Sequence, residues 1–193
     1  MTNKTKTFSL LLAGTFLSSA AFAADTVNSY DDLLSILQST ADADVILNMN
    51  GDGINLNGAT GVSIASGQNV VFTDIGTKGV SSWTDTSYNI KNAGTIAVKD
   101  SFFSGNAAEM IRNWANSGGI IQNKGYITEI INSVFDNNTA DCPYDLWGGV
   151  LGNNGTIDLI KNVVFSNNFA KSSGNNAPHG GVIYNGKKIG TID

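Results

Sequence analysis

The fold that this 193-residue sequence predicts is an all-β parallel solenoid, a β-helix of four to five coils, preceded by a short capping helix. Three observations predict it. A unit of about 30 residues recurs, as a comparison of "GGIIQNKGYITEIINSVFDNN" from Gly118 with "GGVLGNNGTIDLIKNVVFSNN" from Gly148 shows. Each unit holds three short β-like runs, such as "GGVLGN", "TIDLI" and "NVVFSN", separated by Asn, Gly and Lys turn residues. No helical 3.6-residue period fits those runs.

Residues 1–23 read as a secretory signal peptide. Lys4 and Lys6 give a positive start, "FSLLLAGTFLSSAA" is the apolar run, and Ala21-Phe22-Ala23 supplies a small-residue cleavage site. The apolar run is short of the ~20 residues a membrane span requires, and no later stretch is long and apolar enough to span as a helix. Residues 24–44 form a cap segment. Within "NSYDDLLSILQST", Leu33, Leu34, Ile36 and Leu37 predict an amphipathic helix, with Asn28 or Ser29 as its cap and Asp31 and Asp32 in its first turn. The open end of a solenoid needs a cover for its apolar edge, and this helix is placed to provide one.

The solenoid proper spans residues 45–193, and its columns can be read by spacing. Phe72, Phe103, Phe135 and Phe165 serve as the marker, 31, 32 and 30 apart. Asn106, Asn138 and Asn168 follow three residues after the last three of them, while the first copy is degenerate there. The double glycine recurs as Gly118-Gly119, Gly148-Gly149 and Gly180-Gly181. A second asparagine recurs as Asn92, Asn123, Asn153 and Asn185. An isoleucine follows each of these by four residues, at Ile96, Ile127, Ile157 and Ile189.

One coil cannot bury its own apolar side chains, so each column becomes a ladder inside the stack at the ~4.8 Å strand spacing. The asparagines suit sharp turns with left-handed backbone and bond amide to amide along the axis. The double glycines mark close backbones. Between "FxxN" and "GG" lie "AAEMIRNWANS", "TADCPYDLW" and "FAKSSGNNAPH", which vary in sequence and length and read as loops leaving one corner of the stack. The final "NGKKIGTID" matches the second strand of a further coil. The expectation is therefore a chain that stops in mid-coil, a piece of a longer solenoid able to self-associate through that open coil.

Composition narrows the function. The formal charge is −5 and Arg112 is the only arginine, which argues against nucleic acid. A single cysteine, Cys142, excludes an internal disulfide framework. Cys142 and His179 fall in different loops and leave too few ligands for zinc. Asn48, Asn50, Asp52 and Gly53 touch on a calcium-loop spacing, but Ala59 stands where the glutamate belongs. No metal and no cofactor is expected. The carboxylates are scattered: Asp100 shares a column with Asn132 and Asn162, and Asp136 stands beside Ser104 and Ser166. No pair is poised for acid–base work, so the chain does not read as an enzyme. Trp83, Trp114 and Trp147, 31 and 33 apart, are the candidate binding residues. They read either as an exposed aromatic row for sugar or protein contact, or as lids sealing the corner.

The tetrapeptides "GGII", "GGVL" and "GGVI", alternating with "FSGN", "FDNN" and "FSNN" over residues 70–185, resemble the GGA(I/V/L) and FxxN repeats of the polymorphic outer-membrane protein family. The alanine after Gly-Gly is replaced by Ile120, Val150 and Val182, and residues 1–193 show no pattern of a translocator barrel. The resemblance implies a right-handed β-helix, export across the inner membrane, display at or beyond the outer membrane as an autotransporter passenger, and adhesion. The implied partner is a host-surface protein or glycan. A free-standing solenoid that binds or cleaves polysaccharide is the alternative.

Overall fold

The computed structural model describes residues 25–26, 30–39, 44–48, 54–55, 62–73, 83–84, 90–104, 107–109, 119–142, 146–172 and 178–193. The signal segment 1–23, most of the calcium-like turn, and Asn106, Trp114 and Gly118 lie outside them. β1 (Asp25–Thr26) and α1 (Tyr30–Ser39) come first. β2 (Asp44–Asn48), β3 (Ile54–Asn55) and β4 (Val62–Ile64) form one coil, and β5 (Asn69–Thr73), β6 (Trp83–Thr84) and β7 (Ile90–Asn92) the next. Three complete four-strand turns follow. The first is β8 (Thr95–Lys99), β9 (Phe102–Ser104), β10 (Ala107–Glu109) and β11 (Ile121–Asn123). The second is β12 (Tyr126–Ile131), β13 (Val134–Asp136), β14 (Thr139–Cys142) and β15 (Leu151–Asn153), and the third is β16 (Thr156–Lys161), β17 (Val164–Ser166), β18 (Phe169–Ser172) and β19 (Ile183–Asn185). β20 (Lys188–Ile192) lies on β16.

Equivalent strands stack in parallel, giving sheets ordered β1-β2-β5-β8-β12-β16-β20, β19-β15-β11-β7-β4, β17-β13-β9 and β10-β14-β18. This is the β-solenoid expected. No helix of the described residues is long and apolar enough to cross a membrane.

The ladders are in register. Ile96, Ile127, Ile157 and Ile189 pair coil to coil, and all but the last are buried. Phe103, Phe135 and Phe165 form an aromatic stack, with ring centroids 4.9 and 5.2 Å apart, close to the strand spacing itself. Phe72 departs from the predicted column. It pairs with Val98 and so joins the column that continues through Ile130, Ile160 and Ile192. The tetrapeptide Asn-Val-Val-Phe occurs at 69–72 and at 162–165 and is used in two ways. Asn162 has φ 52° and turns the chain into β17, whereas Asn69 opens β5 without a left-handed residue. Val70 and Phe72 then both point into the core.

A fourth strand per turn is the second difference. The variable segments were expected to be loops from their first residue, yet each opens with a strand: β10, β14 or β18. Ala108, Ala140 and Ala170 form its central column. This column explains the double glycines. A Cβ on Gly119 would stand 2.9 Å from the Ala140 methyl, and one on Gly149 3.1 Å from that of Ala170; each would also strike the glycine carbonyl of the next coil. The preceding Gly148 and Gly180 take φ 84° and 69°, which glycine alone adopts freely.

The helix is where the sequence places it, and Asp31 and Asp32 are in its first turn, favourable to the helix dipole. β4 ends its sheet, yet Val62 and Ile64 are buried, in one cluster with Leu33 and Leu37 of α1. Gln68 locks the two together. Its amide donates to Leu37 O at 2.7 Å, and its carbonyl oxygen accepts from Ala65 N at 2.6 Å. At the other end, Val164, Phe169 and Ile192 are exposed.

Buried polar columns complete the stack. Asn92 Nδ2 donates to Asn123 Oδ1 (2.8 Å), Asn123 to Asn153 (2.7 Å) and Asn153 to Asn185 (2.8 Å). The second amide hydrogen of each goes to a backbone carbonyl, of Tyr126, Thr156 and Lys188 respectively. Buried amides are tolerated because they are paired in this way.

Truncating Phe135 to Ala is expected to cost ~3–5 kcal/mol, since it removes the middle ring of a stack and leaves a cavity. Denaturant unfolding checks this, and a loss under ~1 kcal/mol contradicts the aromatic ladder. Changing Asn123 to Ala leaves one Asn92 amide hydrogen without its acceptor and is expected to cost ~1–3 kcal/mol by the same measurement.

Candidate functional site

The stack separates a constant part from a variable one. The described strands pair in ladders from turn to turn, while residues 110–117, 143–145 and 173–177 all fall, along the sequence, between the fourth strand of a turn and its double glycine. Their described flanks, β10, β14 and β18 on one side and Gly119, Gly149 and Gly181 on the other, stack in successive turns and mark one corner. The corner is framed by Ala140, Leu146 and Ala170, a small apolar cluster apart from the main core.

Trp147 stands at this corner. Its backbone bridges His179 in the next turn. Its half-buried ring lies edge-on to His179, centroids 5.9 Å apart, and tilted against Tyr184 at 4.7 Å. Tyr184 occupies the column of Gln122 and Gly152 on β19. The spacing of 31 and 33 placed Trp83, Trp114 and Trp147 in one row, but the structure puts Trp83 elsewhere. Trp83 belongs to β6, which pairs with Ile54 and touches β9, so it takes the path position of the FxxN strand rather than of the segment before the double glycine. Counting from the next strand shows why: Trp83 precedes Ile90 by seven residues, whereas Trp147 precedes Leu151 by four.

His179 and Tyr184 were not singled out by spacing. The signal for them lay in register, since His179 precedes Gly180 as Trp147 precedes Gly148. Cys142, expected in a loop, ends β14 and pairs with Ser172.

Two polar atoms at the corner are buried without a hydrogen-bond partner: Asp141 Oδ1, at the end of the fourth strand, and Trp147 Nε1. An acceptor and a donor in that state are the groups a bridging water or a ligand pairs. The other Asp141 oxygen faces Lys171 Nζ at 3.1 Å. Aromatic rings, a carboxylate and a lysine together suit hydroxyl-rich or peptide-like ligands.

The remaining acids are placed by the columns. Asn132 donates to Asp100 (3.0 Å) and Asn162 to Asn132 (2.9 Å), all three at left-handed turns. Asp136 lies between Ser104 and Ser166 as expected. It accepts from Ser166 Oγ (2.7 Å) and Asn167 Nδ2 (2.9 Å), and these bonds hold its carboxyl below the usual range. Lys99 pairs with Glu129 at 2.5 Å. β12 carries one residue more than β8, Thr128, and Asp158 takes the same added position in β16. Such a bulge re-aims a side chain, and Asp158 accepts a hydrogen bond from the Tyr126 hydroxyl. That bond, with burial and the carboxylate charge, pushes the Tyr126 phenol up to about 12.

No family model, no curated protein and no solved structure matches the chain.

The Tyr126–Asp158 pair gives a pH signature. The folded phenol lies above its unfolded value of ~10, so the stabilisation is present below that pH and is lost as pH rises through about 12. Spectrophotometric titration is expected to show one tyrosine ionising late. Asp158→Asn should return it toward ~10; an unchanged profile contradicts the pair.

Proposed function

We infer that the chain is a secreted or surface-displayed bacterial solenoid, an adhesin-like autotransporter passenger segment. Its variable corner would contact a host-surface protein or glycan. The observation that carries this reading is the division of labour within each turn. Apolar, aromatic and asparagine ladders fix the coil faces, and sequence variation is confined to one corner. The signal peptide and the GG and FxxN repeats support export and display. The corner supplies contact chemistry through Trp147, Tyr184, His179 and the partnerless Asp141 oxygen.

Export is tested by following processing and surface accessibility of the chain in a Gram-negative host. Binding is tested with purified protein on host cells and a glycan array. Replacing residues 110–117, 143–145 and 173–177 with Gly-Ser linkers of equal length is expected to abolish binding while leaving the β-sheet circular dichroism intact. Lys99→Ala, on a coil face, should leave binding unchanged. Release of product from a polysaccharide would favour the cleaving alternative and end the adhesin reading.

A further inference from the structure

Asn-x-Thr, the acceptor pattern for N-linked sugars, occurs twice among the described residues: at Asn137-Asn138-Thr139 and at Asn154-Gly155-Thr156. In an asparagine-rich chain the pattern alone says little, but the structure treats the two sites in opposite ways.

Asn137 sits at the turn between β13 and β14 with φ 52°. Its side chain is exposed, and its carboxamide has no partner among the described residues; only its backbone N–H is used, donating to Ser166 O at 3.0 Å. The stacked residue above it, Asn167, spends its amide on Asp136. Asn138, between the two sequon positions, is fully buried and donates to Asn168 Oδ1 and Phe103 O. The coil thus uses the middle residue and leaves the first one outside. The same turn in the following copy reads Asn167-Asn168-Phe169 and lacks the hydroxyl residue, so the acceptor pattern belongs to one turn of the column. Asn154 is the contrast. Its Nδ2 is buried, and a Cβ on Gly186 of the next coil would stand 2.5 Å from its Oδ1.

The geometry points to Asn137 as an acceptor for an N-linked sugar, delivered from a nucleoside-diphosphate sugar by a glycosyltransferase. The Asn137 amide nitrogen forms the bond to the anomeric carbon. The bond from that carbon to the donor's phosphate oxygen breaks, and the nucleoside diphosphate leaves with the electron pair. One amide proton passes to a base of the transferase. A sugar on Asn137 would flank β14, the strand that leads into the variable corner.

The test has two arms. The folded chain is incubated with UDP-glucose and a soluble transferase that recognises Asn-x-Ser/Thr, and it is also isolated from the cells that produce it. Peptide mass mapping is expected to find one hexose at Asn137 and none at Asn154 in the first arm, and a glycan at Asn137 in the second. Asn137→Gln removes the acceptor at a left-handed position and can disturb the turn. Thr139→Val, which keeps the β-branched shape, is the cleaner variant and should abolish the modification, while Thr139→Ser should retain it. An unmodified Asn137 in the chain isolated from cells overturns the proposal. So does a folded chain modified at Asn154 in place of Asn137, or modification that survives Thr139→Val.

Discussion

Everything in this molecule depends on in-register parallel pairing between successive turns. A strand's backbone groups are satisfied by the turn before and the turn after, at a spacing of ~4.8 Å. At that distance a residue's nearest neighbour is its own equivalent in the next turn. Each position must therefore tolerate itself, stacked. Phenylalanine rings do so face to face, at 4.9 and 5.2 Å. Asparagine does so because its amide is both donor and acceptor, so one residue type can pass a hydrogen bond along the axis without a terminal mismatch in each turn. A charged residue stacked on its like would repel: Glu129 is set beside Lys99, and Asp141, which follows Glu109 in its column, has Lys171 on its other side.

The same constraint explains how much of the fold could be read from the sequence. Columns of identical residues declare themselves by spacing, and the described members of the Ile, Asn and Gly columns stack in that order. The helix was legible because Leu33 and Leu37 sit four apart behind two aspartates. Phe72 was misread because the tetrapeptide it ends is shared with Phe165. Strand identity there is decided by whether the leading asparagine turns left-handed, which the local sequence does not reveal. The fourth strand was hidden inside segments that vary, although Ala108, Ala140 and Ala170 stand two residues after Asn106, Asn138 and Asn168. A single small residue among changing neighbours is a faint signal beside a phenylalanine.

The candidate site was less legible, for a related reason. Residues that do not stack are free of the column rule, so their spacing carries no information about position. Trp83 and Trp147 are separated by two near-repeats and yet occupy different places on the coil path. The corner residues that do meet, Trp147, His179 and Tyr184, come from adjacent turns and three different residue types. Register from the double glycine finds His179; residue identity does not.

The asparagine ladder has a further consequence. From Asn92 to Asn153 each amide nitrogen points toward the later turn, so the upper face of one turn is chemically the same as the upper face of the turn below it. A turn inserted or removed as a whole meets neighbours of the kind it left, and the interactions lost and gained are of one type. Chain length can then drift by entire units during evolution without redesign of the interior, while the corner segments diversify independently in each unit. The architecture resembles a tape whose cutting points are all equivalent.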